Sequence, residues 1–118
     1  MKTTNATYAV DRIDAEDFEP DIIAGAQVGE AHQIEPTGDS PVKLNAALWR
    51  SEPATYDYVF EGDEAFHVIE GAATIELPDT GEAIEVKAGD VGYFSAGTKS
   101  VWKITETFKE VHRHRQLS

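Results

Sequence analysis

Glu64 stands in the run Glu64-Ala65-Phe66-His67-Val68-Ile69-Glu70. Alternation along an extended chain puts it on one face with Phe66 and Val68, while His67 shares the other face with Ala65 and Ile69. A carboxylate set between Phe66 and Phe60 is desolvated, which raises its pKa unless a donor partners it. Tyr58, Ser100 and the Trp102 indole are the donors the sequence offers. Such a group suits general acid/base work or the orienting of a ligand. His67, on the opposite face, reads as an outer-face or subunit-contact residue. His112 and His114 also share a face, with Arg113 and Arg115 opposite, and a His-x-His on a strand can chelate. They stand within six residues of the end of the sequence and read as solvated tail residues. His32 has no evident partner. Asp57 and Asp63 offer oxygen ligands for a hard cation but read as strand-end or turn positions. No cysteine is present, which excludes disulfides, thiolate metal sites and cysteine nucleophiles. On these residues no metal and no cofactor are expected.

The elements that must position these groups are short strands. Residues 43–52, 56–60, 64–70, 73–77, 83–86, 91–94, 100–107 and 110–115 are rich in Val, Ile, Tyr, Phe, Trp and Thr and are bounded by turn residues. Asp79-Thr80-Gly81 between two alternating runs is a hairpin signal, and Asp90 after Gly89 reads as a turn cap. No segment sustains a helical period. Strands at this spacing predict an all-β sandwich or barrel. The first 40 residues are punctuated by Gly25, Gly29, Pro36 and Gly38, and predict an arm with short strands at 8–13 and 27–34. Residues 14–21 are acidic and closed by Pro20, and read as a loop or a short helical turn. The expected organisation is one domain: an arm over 1–40, part of the same unit, and a barrel over 41–118.

The chain has 118 residues, 22 acidic and 10 basic, for a formal charge of −12. Such a surface repels phosphate backbones and anionic lipid, so neither nucleic acid nor a membrane surface is an expected partner. The excess is uneven: residues 1–90 hold 20 acids and 5 bases, residues 91–118 hold 2 and 5. A pocket need not follow the total, so the charge does not exclude an anionic small molecule. With 41% hydrophobic residues the chain can build a core. Its start leads into no apolar run, and a cytoplasmic location is the expectation.

Two stretches resemble the cupin motifs. Glu64, six residues and Gly71 match the second half of the first motif; Gly89, Ser95 in place of proline, Gly97 and Ser100 in place of histidine follow the spacing of the second. Leu48-Trp49, Gly89-Asp90, Gly97 followed by Trp102, and Glu106 with Lys109 are similar to the branch holding (S)-ureidoglycine aminohydrolase and the ethanolamine-utilisation cupins. The resemblance covers about residues 43–112. It implies a jelly-roll barrel and a homodimer. Tyr8, Val10 and Ile13 alternate along the arm, which is expected to extend a partner's sheet and cover its edge. Glu106 and Lys109 would form a rim ion pair.

Of the four ligands the family uses, only Glu64 is kept. The His-x-His positions hold Tyr58 and Phe60, or Asp57 and Val59 if the gap is one longer, and the later histidine is Ser100. A lone carboxylate cannot hold a transition metal against water. The aromatic replacements predict a pocket walled by Trp49, Tyr58, Phe60, Phe66, Ser100 and Trp102, or else an aromatic core. The expected function is metal-free binding of a small organic molecule, with Glu64 orienting it. The alternative is a hydrolase or isomerase acting on a small polar metabolite, with Glu64 as acid/base or with a rebuilt metal site.

Overall fold

The structure, a computed structural model, describes residues 10–34 and 43–116, with side chains described over 10–34 and 46–113. Eight strands are present: β1 (Glu19–Ile23), β2 (Ala26–Ile34), β3 (Lys43–Ser51), β4 (Thr55–Val59), β5 (Asp63–Leu77), β6 (Glu82–Lys87), β7 (Val91–Phe94) and β8 (Lys99–Gln116). All pairings are antiparallel, in the order β1-β2-β3-β8-β5-β6, with β4 on β8 and β7 on β5.

Two long strands organise the interior. The first half of β5 lies between β7 and β8, and its second half between β6 and β8. The first half of β8 pairs with β4 and its second half with β3. Each long strand therefore belongs to two layers. The expected separate strands at 64–70 and 73–77, and at 100–107 and 110–115, are continuous. The chain bends without breaking because the register slips around Gly71, whose φ of 83° lies in the left-handed region. A Cβ there would collide with the Thr107 carbonyl.

The period-2 pattern fixes the buried face. On β5, Glu64, Phe66 and Val68 are buried and His67 is exposed. Val68, Ile75, Phe60 and Phe108 are the most enclosed side chains. Phe94 stacks on Phe60 at 4.6 Å and on Phe66 at 5.6 Å, joining β7 to the strands beside it. Gly81 N donates to the Leu77 carbonyl (2.8 Å) in the β5–β6 turn, and Lys87 N donates to Asp90 Oδ2 (2.9 Å) in the next.

The N-terminal region departs most from expectation. Residues 19–21, the end of the 14–21 stretch expected as a loop or short helical turn, belong with 22–23 to β1; its Pro20 is tolerated because an edge strand can lack a donor. Residues 10–13 of the expected 8–13 strand join no sheet, and 8–9 lie outside the described residues. Instead the segment before β1 folds onto the chain's own sheet. Asp11 Oδ2 lies 2.8 Å from His32 Nε2, Arg50 covers the Phe18 ring at 3.9 Å, and Lys109 Nζ donates to the Ile13 carbonyl. Lys109 is thus engaged with the N-terminal segment, and among the described residues it makes no ion pair with Glu106. Among the described residues no helix is long and apolar enough to cross a membrane.

Candidate functional site

A cavity of about 520 Å³ opens between the β1–β2 hairpin and the inner faces of β3, β4, β5 and β8. Trp49, Tyr56, Tyr58 and Trp102 form its aromatic walls. Their positions follow from alternation: Trp102 is on the inward face of β8 with Ser100 and Ile104, and Trp49 on that of β3 with Ala47 and Ser51. Trp49 meets Tyr56, Trp102 and Phe108 edge-on at 6.1, 6.2 and 5.9 Å.

The polar tips of Trp49, Tyr56 and Trp102 are committed. Trp49 Nε1 donates to the Val28 carbonyl at 2.9 Å, fixing β3 to β2. Trp102 Nε1 donates to Ser100 Oγ at 3.1 Å, and that hydroxyl donates to the Tyr58 carbonyl at 2.8 Å. Because Ser51 Oγ donates to the Glu52 carbonyl at 2.7 Å, the Tyr56 hydroxyl is the donor in its 2.8 Å contact with Ser51 Oγ. These three rings therefore present faces and edges to the cavity, held in place by their tips.

The charged part of the lining is mainly acidic. Asp21, Glu61, Glu64 and Glu110 border the cavity, with His112 as the basic side chain and neither lysine nor arginine among the described lining residues. Glu64 and Glu110 are 8% and 3% exposed. Glu64 Oε, Glu110 Oε and a ring nitrogen of His112 all lie within 4.8 Å of one another. Strand register explains the cluster: Phe66, one inward step from Glu64, faces His112 across β5–β8, and Val68 faces Glu110.

The charges reshape one another. Burial raises the Asp21 pKa, and His112 only partly opposes this. Burial would lower that of His112, but the hydrogen bond it donates to Glu110 (Nδ1 to Oε2, 3.2 Å) and the charges of Glu110, Glu64 and Asp21 raise it overall. Burial, then the charges of Glu64, Glu61, Asp21 and Glu110, pushes the Tyr58 phenol up. One carboxylate oxygen, Glu110 Oε1, is buried with no hydrogen-bond partner among the described residues.

Four of the seven residues singled out from sequence, Trp49, Tyr58, Glu64 and Trp102, border this cavity. Phe60, Phe66 and Ser100 do not. Phe60 and Phe66 stack on Phe94 behind the cavity, and Ser100 is turned to the Tyr58 backbone. His112, expected in a solvated tail, is a half-buried residue of β8, because that strand runs between β3 and β5 as far as Arg115. Glu110, Tyr56, Glu61 and Asp21 were not anticipated. For Glu110 the signal was present: Glu110 and His112 are two apart, the spacing that puts both on one strand face.

The model of the EutQ-like cupin domain matches residues 38–112. The chain belongs to this cupin family. Cupin structures are also its neighbours in fold. The EutQ protein of Clostridium difficile superposes with a TM-score of 0.63 at 18% identity, over 75% of this chain and 62% of that one. A protein of Salmonella typhimurium LT2, provisionally assigned as ethanolamine utilization protein Q, gives 0.56 at 21% identity, over 61% and 57%. A protein of unknown function from Acidithiobacillus ferrooxidans gives 0.61 at 14%, over 92% and 90%. This cupin thus spans less than two-thirds of the first two proteins, and at these identities the likeness shows the fold alone. No curated protein matches the chain in sequence.

The cupin's jelly roll tests the inherited metal set directly. Phe60 is 1% exposed and stacked on Phe94, Ser100 is spent on a backbone carbonyl, and Asp57 and Val59 point outward on β4. These positions do not fit a metal. β1, which contributes Asp21 and its neighbours to the cavity wall, lies outside the matched residues 38–112.

Proposed function

We propose that this cupin binds a small polar organic molecule, neutral or positively charged, in the cavity between the β1–β2 hairpin and the barrel, with Glu64 orienting it. The volume of about 520 Å³ falls within the roughly 300–1,000 Å³ of small-molecule sites. Tyr56, Tyr58, Trp49 and Trp102 offer ring surface for apolar stacking and for cation–π contact with an ammonium group. The observation that carries the sign of the ligand is the lining itself, four carboxylates against one histidine. An anionic ligand, compatible with the total charge, meets local repulsion here.

Intrinsic fluorescence reports binding directly, because both tryptophans border the cavity. Small amines, ethanolamine among them in view of the Salmonella neighbour's name, are titrated alongside carboxylates and phosphates of matched size. Saturable quenching by amines or neutral polar molecules, weakened about tenfold to a hundredfold by Glu64→Gln, is the expected result for a charge-assisted contact of ~1.5–3 kcal/mol. Binding of anions alone, or amine binding indifferent to Glu64→Gln, overturns it.

A further inference from the structure

The geometry points to a divalent-metal site built from Glu64, Glu110 and His112, a set different from the inherited cupin ligands. Three observations meet here. The ligand atoms lie within 4.8 Å of one another, close enough to share one ion. Glu110 is 3% exposed, and its Oε1 has no hydrogen-bond partner among the described residues, although an unsatisfied buried carboxylate oxygen costs several kcal/mol in order of magnitude. The trio borders a cavity through which an ion can enter.

The donor chemistry narrows the ion. Two carboxylates and one imidazole suit Mn²⁺, Fe²⁺, Co²⁺ or Zn²⁺, and offer no thiolate for softer ions. Three protein ligands leave open positions for water or an organic ligand. With His112 neutral, the two carboxylates balance a divalent charge. A bound ion engages Glu64 and Glu110, so the sign preference proposed for the organic molecule belongs to the metal-free cavity. The inference shares that cavity and does not depend on the organic molecule.

The test uses the full chain, stripped with chelator and titrated with MnCl₂, CoCl₂ or ZnCl₂ alone by calorimetry. About one equivalent per chain is expected, with affinity at least tenfold weaker in Glu110→Gln and in His112→Ala. His67→Ala, on the outer face of β5, should bind as the wild type does. NMR of the wild type locates the ion, since Mn²⁺ in this site broadens the indole N–H signals of Trp49 and Trp102, which border the same cavity. That measurement decides the matter even if a variant fails to fold. No binding by the wild type, or binding that leaves both indole signals sharp and is indifferent to both variants, overturns the site while leaving the organic-ligand reading standing.

Discussion

Glu110 and His112 sit two apart on one face of β8, with Nδ1 of the histidine 3.2 Å from Oε2 of the glutamate, while Glu110 Oε1 is buried with no partner among the described residues. Half of a buried carboxylate is thus compensated and half is not. Replacing a whole buried ion pair with apolar side chains of similar volume is commonly neutral or stabilising by about 1–4 kcal/mol, whereas removing one partner is destabilising. The double variant Glu110→Met/His112→Leu should therefore raise the melting midpoint of the metal-free protein, by about 3–6 °C for each kcal/mol gained in a domain of this size. Glu110→Met alone should lower it, because His112 is left without its carboxylate partner. Calorimetric melting in the presence of chelator checks this. A lower midpoint for the double variant would mean that Glu110 is better satisfied than its surroundings indicate.

The bend of β5 rests on Gly71. A methyl group there meets the Thr107 backbone, which cannot turn aside as a side chain can, and the positive φ adds about 1–2 kcal/mol for any L-residue. Gly81, also at positive φ, has nothing within 4 Å of the position a Cβ would take. Gly81→Ala should cost about 1 kcal/mol in urea denaturation. Gly71→Ala should cost several times more or prevent folding. Equal losses at the two positions would show that the close approach of β5 to β8 is not what holds the bend.

Most of the barrel was legible because its strands alternate cleanly. Glu64, Phe66 and Val68 turned inward and His67 outward as period 2 requires, and Gly89-Asp90 and Asp79-Thr80-Gly81 made turns from local chemistry. The acidic end of the cavity was less legible. It depends on register between β5 and β8, which brings Glu110 and His112 beside Glu64 from more than 40 positions away. Their two-residue spacing puts Glu110 and His112 on one face, but nothing local says that this face is buried rather than a solvated strand end. β1 was missed for a related reason: Pro20 reads as a terminator unless the strand is known to lie at an edge. Phe60 and Phe66 looked like pocket walls because inward-facing is the most that alternation can say; whether an inward ring meets a cavity or another ring is decided by Phe94.

The β1–β2 hairpin, which forms one side of the cavity, turns through Ala24 and Gly25 with φ of 52° and 82°. Positive φ at both central residues is the pattern of a two-residue turn for which Asn-Gly is favoured, and alanine at the first position is strained. Ala24 is exposed, so a polar side chain there costs no burial. Ala24→Asn should stabilise the protein by about 0.5–1 kcal/mol, read from denaturant midpoints at unchanged slope. A loss of stability would place this turn in another conformation in solution.

His32 gives the N-terminal segment a pH dependence. Its Nε2 lies 2.8 Å from Asp11 Oδ2, and its Nδ1 is 3.1 Å from both the carbonyl and a side-chain oxygen of Asp17. The hydrogen bond with Asp11, then that with Asp17, holds the His32 pKa above its ordinary value, and the same contact holds that of Asp11 below the usual carboxylate range. The two shifts have opposite consequences. The histidine's contribution is complete below about pH 6.5 and is lost as pH rises through its raised folded value; the aspartate's is complete above about pH 4 and is lost as pH falls through its lowered one. Docking of residues 11–18 on β2 should therefore be tightest between these limits and loosen on the alkaline side. NMR titration of the His32 ring should give a midpoint above 6.5, and His32→Gln should remove the slope in stability above that pH. A His32 midpoint at or below the ordinary value would show that Asp11 does not hold the imidazolium, and that the segment is retained by the Phe18–Arg50 and Lys109–Ile13 contacts alone.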